Sequence, residues 1–281
     1  MSHVAIVTDS ASDLPPDVAR AAGITVVPLV VSFGSESFRP GVNLTTDEFW
    51  GRMTAPDAPF PTTAAAAPGD FIAAFQQAFD AGADSIVCVT VSGDLSGTLK
   101  SANVARDQLP GKAIHIVDSR SASMGEGMLC QIGSELAAAG VSGAEIASVL
   151  EHRKGDLRIF LALDTLEYLK RGGRISGARA AIGTMLNVKP IITVEHGIVE
   201  NAERVRSRPK ARERTIELLT EVPLERASIL HTANADIAEF HAAFLERSKL
   251  DPSRVLVMMV GPSVGPHLGP GCVGGVVLVR H

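Results

Sequence analysis

Two stretches of this 281-residue chain gather the side chains that could do chemistry. In the first, the apolar run ending at Val91 stops in Ser92-Gly93-Asp94-Leu95-Ser96-Gly97-Thr98, which reads either as an ordinary strand-to-helix turn or as a loop whose hydroxyls and backbone N–H groups favour an anion. In the second, Gly261 to Gly275 holds six glycines and three prolines in fifteen residues around one imidazole, His267. A loop so constrained fixes its side chain in place, either as a structural histidine or as a ligand to something bound. A third polar cluster, Thr8-Asp9-Ser10-Ala11-Ser12-Asp13, follows a short strand pattern and precedes Pro15 and Pro16, which open a helix. It reads as N-capping by Ser12 or Asp13, or as a second strand end delivering hydroxyls and carboxylates to the same rim.

These residues support more than one chemistry. A serine hydrolase or acyltransferase would combine Ser96 and His267 with a carboxylate such as Asp9 or Asp118. Against it, SGDLSGT is not the G-x-S-x-G elbow, and a hydroxyl and imidazole that jointly hold a carboxylate need no activation. A nucleotide or sugar-phosphate binder could use the same loop, but neither a P-loop nor a dinucleotide fingerprint accompanies it. Basic side chains supply a further element. Arg174 follows the Gly172-Gly173 pair, and Arg204 to Arg214 carries six basic residues in eleven, either a solvated face or a site for phosphate or an acidic partner.

The elements that must position these groups follow from periodicity and punctuation. Strands are expected at His3 to Val7, Ile24 to Val31, Ser85 to Val91 and Ala113 to Val117. Ser32 to Asn43 reads as a loop or hairpin, and Thr45 or Thr46 caps a short helix. Pro56 to Pro68 is extended, and Pro68 opens an amphipathic helix carrying Phe71, Ile72, Phe75 and Phe79. Two helices, about 123 to 139 and 143 to 154, close the first half. Strands alternating with helices imply right-handed βαβ units on a parallel sheet. The second half reads as a strand at Leu157 to Leu163, a helical turn stopped by Gly172 and Gly173, and a small-residue helix to about Leu186. A hairpin turning at His196-Gly197 follows, then a helix, and then a strand, helix and strand at Ala227 to His231, Ala235 to Arg247 and Val255 to Val260.

Composition bounds the partners. Aromatic residues make up 4%, with one Trp and one Tyr, too few for a base-stacking surface, and the net charge of −5 gives no global attraction to nucleic acid. No apolar run approaches the roughly 18 residues of a membrane helix, and the chain enters its first strand without a signal-peptide pattern, so a cytoplasmic location is expected. Cys88, Cys130 and Cys272 lie far apart in apolar segments and read as buried free thiols, with neither disulfides nor a metal site expected.

The separated motifs converge. Thr8-Asp9-Ser10 with Ser12-Asp13-Leu14, Pro61-Thr62-Thr63 ahead of Pro68-Gly69, Ser92 through Thr98 and Thr165 through Ser176 belong together. So do Asn187-Val188-Lys189-Pro190, Val205-Arg206 with Lys210-Ala211, and His267 with Gly269-Pro270-Gly271. On these residues, across essentially its whole length, the chain resembles the DegV family of bacterial fatty-acid-binding proteins. The resemblance implies two α/β domains, an N-terminal parallel-sheet βαβ domain (1–156) and a C-terminal mixed-sheet α/β domain (157–281), with one long-chain fatty acid in a tunnel between them. It implies a carrier rather than an enzyme, needing no cofactor, which presents the fatty acid to a fatty acid kinase for acyl-phosphate formation and leaves room for transient membrane contact. Thr63, Ser96 with the Gly97 amide, and His267 would grip the carboxylate. Ser10, Ser92 and Ser119 are candidates for the headgroup rim, and Arg174 and Arg206 would face the kinase or the transferred phosphate. Where family members carry Thr-Ser-Gln-Pro-Ser, this chain has Thr63-Ala64-Ala65-Ala66-Ala67, so no headgroup role carries over to Ala64 or Ala67. Burying about fifteen methylene or methyl groups at roughly 0.8 kcal/mol each gives some 12 kcal/mol before association costs, enough for the tail alone to supply affinity. The carboxylate must then be given donors, because a buried unpaired anion is costly.

Overall fold

A computed structural model describes residues 3–175, 188–233 and 236–280. The first domain runs β1 (Val4–Asp9), α1 (Pro16–Ala21), β2 (Ile24–Val27), β3 (Val30–Phe33), β4 (Glu36–Phe38), α2 (Thr46–Met53), β5 (Thr62–Ala64), α3 (Pro68–Asp80), β6 (Ser85–Thr90), α4 (Thr98–Asp107), β7 (Ile114–Asp118), α5 (Met124–Ala138) and α6 (Gly143–Arg153). Its main sheet has the order β2-β1-β6-β7, every pairing parallel. The strand expected over Ile24 to Val31 is two strands, broken at Pro28-Leu29: Pro28 has no N–H for a ladder, and β3 leaves to form a small antiparallel sheet, β4-β3-β5. Thr45 caps α2 in a capping box with Glu48. Phe71 and Phe75, one turn apart, are fully buried by α3 against one face of the main sheet, while α5 and α6 cover the other.

The second domain contains β8 (Leu157–Ala162), α7 (Glu167–Arg171), β9 (Lys189–Glu195), β10 (Ile198–Val205), α8 (Arg208–Leu219), β11 (Leu224–His231), α9 (Ala238–Ser248), β12 (Val255–Met259), α10 (Gly265–Leu268) and β13 (Val273–Val279). Its sheet order is β10-β9-β8-β13-β11-β12, with only β11 and β12 parallel, so the sheet is mixed. The hairpin turns at His196 and Gly197, both at positive φ, as a two-residue turn matched to strand twist requires. The glycine-rich stretch is more ordered than its composition suggests, since it yields both α10 and β13. The expected small-residue helix to about Leu186, with Ser176 and Asn187 of the motifs and the expected helix start at Ala235, lies outside the described residues.

α5 joins the domains. Its buried residues Met124, Met128, Leu129 and Ile132 pack with Ile6 and Val87 of the first sheet and with Leu161, Leu230, Met258 and Val276 of the second, forming one core across both. α8 and α9 cover the outer face of the second sheet. The three cysteines are free and buried.

Candidate functional site

A parallel sheet opens its crevice at the strands' carboxyl ends, and there β1 and β6 meet the second domain. The cavity between them encloses about 790 Å³, its open mouth included. The first domain contributes Thr63, Ala64 and Ala65 of β5 and the segment after it, with Leu95, Ser96 and Ser123. The second contributes the aliphatic wall, Ile159, Leu161, Ile192, Val194, Val199 and Leu230, and the polar side chains of Arg174, Ser263 and His267. Thr63, Ser96, Arg174 and His267, distant in sequence, therefore line one space.

His267 anchors the polar lining. Its Nε2 shares a hydrogen bond of 3.0 Å with Thr63 Oγ1, while its Nδ1 is buried without a hydrogen-bond partner. Burial, reinforced by the Arg174 charge, pushes its pKa down to about 4, so the imidazole is neutral near pH 7. An N–H at Nδ1 would lack an acceptor, which assigns the proton to Nε2 and leaves the Thr63 hydroxyl able to donate to a ligand oxygen. The imidazole lies against Gly172: a Cβ there would fall 2.2 Å from Nδ1, so the residue is glycine for space, its own φ being −76°. Gly173, at φ +73°, supplies the left-handed end of α7.

Arg174 reaches across the joint. Its Nε donates to the Leu95 carbonyl (3.0 Å) and its Nη1 to the Gly172 carbonyl (2.7 Å), tying the Ser92–Thr98 loop to the turn beneath His267. Ser96 Oγ pairs with Thr98 Oγ1 at 2.9 Å and accepts the Thr98 N–H at the first turn of α4, which Gly97 caps. Gly97 is exposed, and a Cβ on it would lie 3.6 Å from Ala65 Cβ. Arg206, just past β10, is also exposed.

The rim serines are engaged elsewhere and do not line the cavity. Ser92 Oγ donates to the Gly197 carbonyl at the hairpin tip (2.7 Å), Ser10 Oγ accepts from Leu29 N–H and pairs with Ser263 Oγ, and Ser119 Oγ closes a turn with Ser121. Ser123 and Ser263 stand in that wall instead. Ser12 and Asp13 do not cap α1, whose N-cap is Pro15. Asp13 accepts from Ser123 Oγ (2.6 Å) and from Gly261 N–H (3.0 Å), and burial pushes its pKa up to about 7.

No hydrolase triad assembles among the described residues. Asp9 accepts from Ala11 N–H and Val91 N–H and is coupled to buried Glu126, which burial and the Asp9 charge hold strongly toward its protonated form. Asp118 accepts from Gly93 N–H and Arg120 N–H. Neither reaches His267, whose partner is Thr63, and Ser96 pairs with Thr98.

Sequence reasoning missed an aromatic contact between the domains. Phe60 stacks on Tyr168 (centroids 6.1 Å apart, planes at 27°) and the Arg171 guanidinium lies 3.8 Å over the Phe60 ring. Tyr168 packs in turn on Gly269, where a Cβ would fall 2.2 Å from the ring. Local sequence carries no signal for these pairs, which depend on the domains meeting. A proline-flanked Phe60 and the only tyrosine were the available hints.

Comparison with known proteins completes the picture. Residues 3–280 match the sequence model described as "Uncharacterised protein, DegV family". A DegV domain-containing protein of Caldanaerobacter subterraneus subsp. tengcongensis is 34% identical over 279 residues, 98% of each chain. The solved DegV family protein of Thermus thermophilus, described by its fatty acid binding, is 35% identical with a TM-score of 0.88, covering 99% of this chain and 100% of that one. DegV of Bacillus subtilis, a fatty acid binding protein, is 29% identical with a TM-score of 0.85 over the whole of both chains. A stearic acid-binding protein of Eubacterium ventriosum is 26% identical with a TM-score of 0.86, covering 99% of this chain and 98% of that one. With its two α/β domains and the match running almost from end to end, the chain belongs to the DegV family.

Proposed function

We propose that this protein holds one long-chain fatty acid in the cavity between its domains and, in the cytoplasm, presents the carboxylate to a fatty acid kinase for acyl-phosphate formation, without catalysing that step itself. The observation that carries the reading is the lining of the cavity: aliphatic side chains from β8, β9, β10 and β11, together with a few polar groups, Thr63, Ser96, Arg174 and His267. The carboxylate would take the Thr63 hydroxyl, which His267 Nε2–H holds in place, with Ser96 and the Gly97 amide on the facing loop and the helix N-terminus behind them. Arg174 adds a positive charge beside these groups, and exposed Arg206 is assigned to the kinase-facing surface. The solved relatives' fatty acid binding supports the ligand class.

Mass spectrometry of a solvent extract from the purified, folded protein tests this. A stoichiometric C14 to C18 fatty acid is expected, retained less well by His267→Ala and Ser96→Ala. Arg206→Ala should keep the lipid and lose phosphorylation by a kinase. An empty protein that hydrolyses an activated ester would overturn the carrier reading.

A further inference from the structure

The face of the second sheet that packs on α5 changes character along its length. Register pairs Ser228 with both Val276 and Leu256, so alternation puts Arg226, Ser228 and Leu230 on that face together with Leu256, Met258, Val276 and Leu278. Leu230, Met258 and Val276 complete the apolar joint, and Leu230 also lines the lipid cavity. Beyond Ser228 the joint opens into a second cleft of about 1240 Å³, its open mouth included, bounded by β11, the Ser253–Leu256 segment, Arg280, α5 and the end of α6. Four guanidiniums line it, from Arg153, Arg226, Arg254 and Arg280, against one carboxylate, Glu225.

The charges there are incompletely matched. Arg153 pairs with Glu225 (2.6 Å) and Asp156 (3.2 Å), and Arg226 with Glu135 (2.8 Å) and Glu225 (3.3 Å). Arg254 donates to the Glu225 carbonyl, at 3.4 Å, and its charge is felt by the Asp251 carboxylate, but among the described residues neither Arg254 nor Arg280 has a carboxylate within ion-pair distance. A second observation is independent of the charge. One donor lining the same cleft is buried with no hydrogen-bond partner: Ser228 Oγ, on a residue 1% exposed. Folded proteins rarely leave such a group unsatisfied, and in a cleft lined by guanidiniums it marks where an acceptor belongs.

We infer that this cleft is a second ligand site, for a small molecule bearing a phosphate group. Its oxygens would be taken by Arg254, Arg280 and the Ser228 hydroxyl, and its less polar body would lie against Met128, Ala227 and Leu256. A phosphate fits because it offers only acceptors, carries up to two charges, and presents its oxygens tetrahedrally to guanidiniums arriving from different strands. The site is distinct from the lipid cavity and does not depend on the fatty-acid reading. Because its walls come from both domains, occupancy would brace the joint on the side away from the carboxylate.

Calorimetric titration of inorganic phosphate and of inorganic pyrophosphate into the full chain, at ionic strength held constant with chloride, decides the matter. Saturable binding is expected, tighter for pyrophosphate. The exposed pair R254Q/R280Q should weaken it by about tenfold for each lost charge-assisted hydrogen bond. S228A should weaken it less, and the extractable fatty acid should be unchanged in all variants. Absence of saturable binding to the unaltered protein, or R254Q/R280Q binding pyrophosphate as tightly as the parent, would overturn the assignment. The lipid extract, read separately, tells that failure apart from a failure of the carrier reading.

Discussion

At the scale of single residues, the neighbours of His267 matter as much as the imidazole. Gly172 and Gly173 look alike in sequence, a C-terminal pair closing a short helix, but they serve different constraints. Gly172 has an ordinary backbone and no room for a Cβ beside Nδ1, whereas Gly173 has room and a left-handed backbone. Gly172→Ala is therefore expected to displace the imidazole and lower fatty acid retention by about tenfold or more, the cost of a lost charge-assisted hydrogen bond. Gly173→Ala should instead cost about 1 kcal/mol of stability through backbone strain and leave retention near the parent value. Quantifying bound lipid and melting temperature for both variants separates them, and equal retention would refute the steric role of Gly172. The sequence showed the glycine pair but not this division, because only the fold brings α10 against α7.

Among the elements, those with strong periodicity or local capping were legible: α3 from its phenylalanines and Pro68, α2 from a threonine cap at 45 or 46, the β9–β10 hairpin from His196-Gly197. β13 was not. Its Gly274 and Gly275 read as loop, yet a Cβ on Gly274 would fall 2.1 Å from the Phe160 carbonyl oxygen, so glycine there permits close strand approach in the middle of the sheet. The convergence of Thr63, Ser96 and His267 came from the resemblance. No spacing within the chain predicts that a three-residue edge strand will roof the cavity. That strand, β5, is held to β3 by a short ladder, and the extended segment before it is latched to α7 by Phe60 on Tyr168 and Arg171. The stack and cation–π contact together contribute about 1–2 kcal/mol. Phe60→Ala should accordingly release a fluorescent fatty acid several-fold faster while the melting temperature changes little. An unaltered release rate in stopped-flow displacement would rule out the latch.

For the whole molecule, the joint between domains is polar at the cavity's edge and apolar behind it. Trp50 Nε1–H donates to the Val260 carbonyl, Ser92 to Gly197 and Arg174 to Leu95, so displacing either domain breaks several bonds together. Asp13 belongs to this set, since its carboxyl accepts the Gly261 N–H from the other domain. Its ordinary pKa of 3.8 is pushed up to about 7 by burial, with a contribution from the Asp9 charge. Between those values the folded chain keeps a proton that the unfolded chain has released. Asp13 therefore costs increasing stability as pH rises from about 4 to about 7, and the full cost remains above that. Asp9, raised to about 6, acts in the same sense; His267, depressed from 6.5 to about 4, acts in the opposite one, favouring the folded chain as pH rises through its window. Comparing Asp13→Asn with its parent cancels the His267 contribution and leaves that of Asp13 with its coupling to Asp9, which has the same sign, since the amide keeps the oxygen that accepts from Gly261. The variant should gain in melting temperature relative to the parent as pH is raised from 4 to 7, with the difference level at higher pH. A difference constant from pH 4 to 8 would mean that Asp13 is ionised throughout, its two donors outweighing its burial at the domain joint.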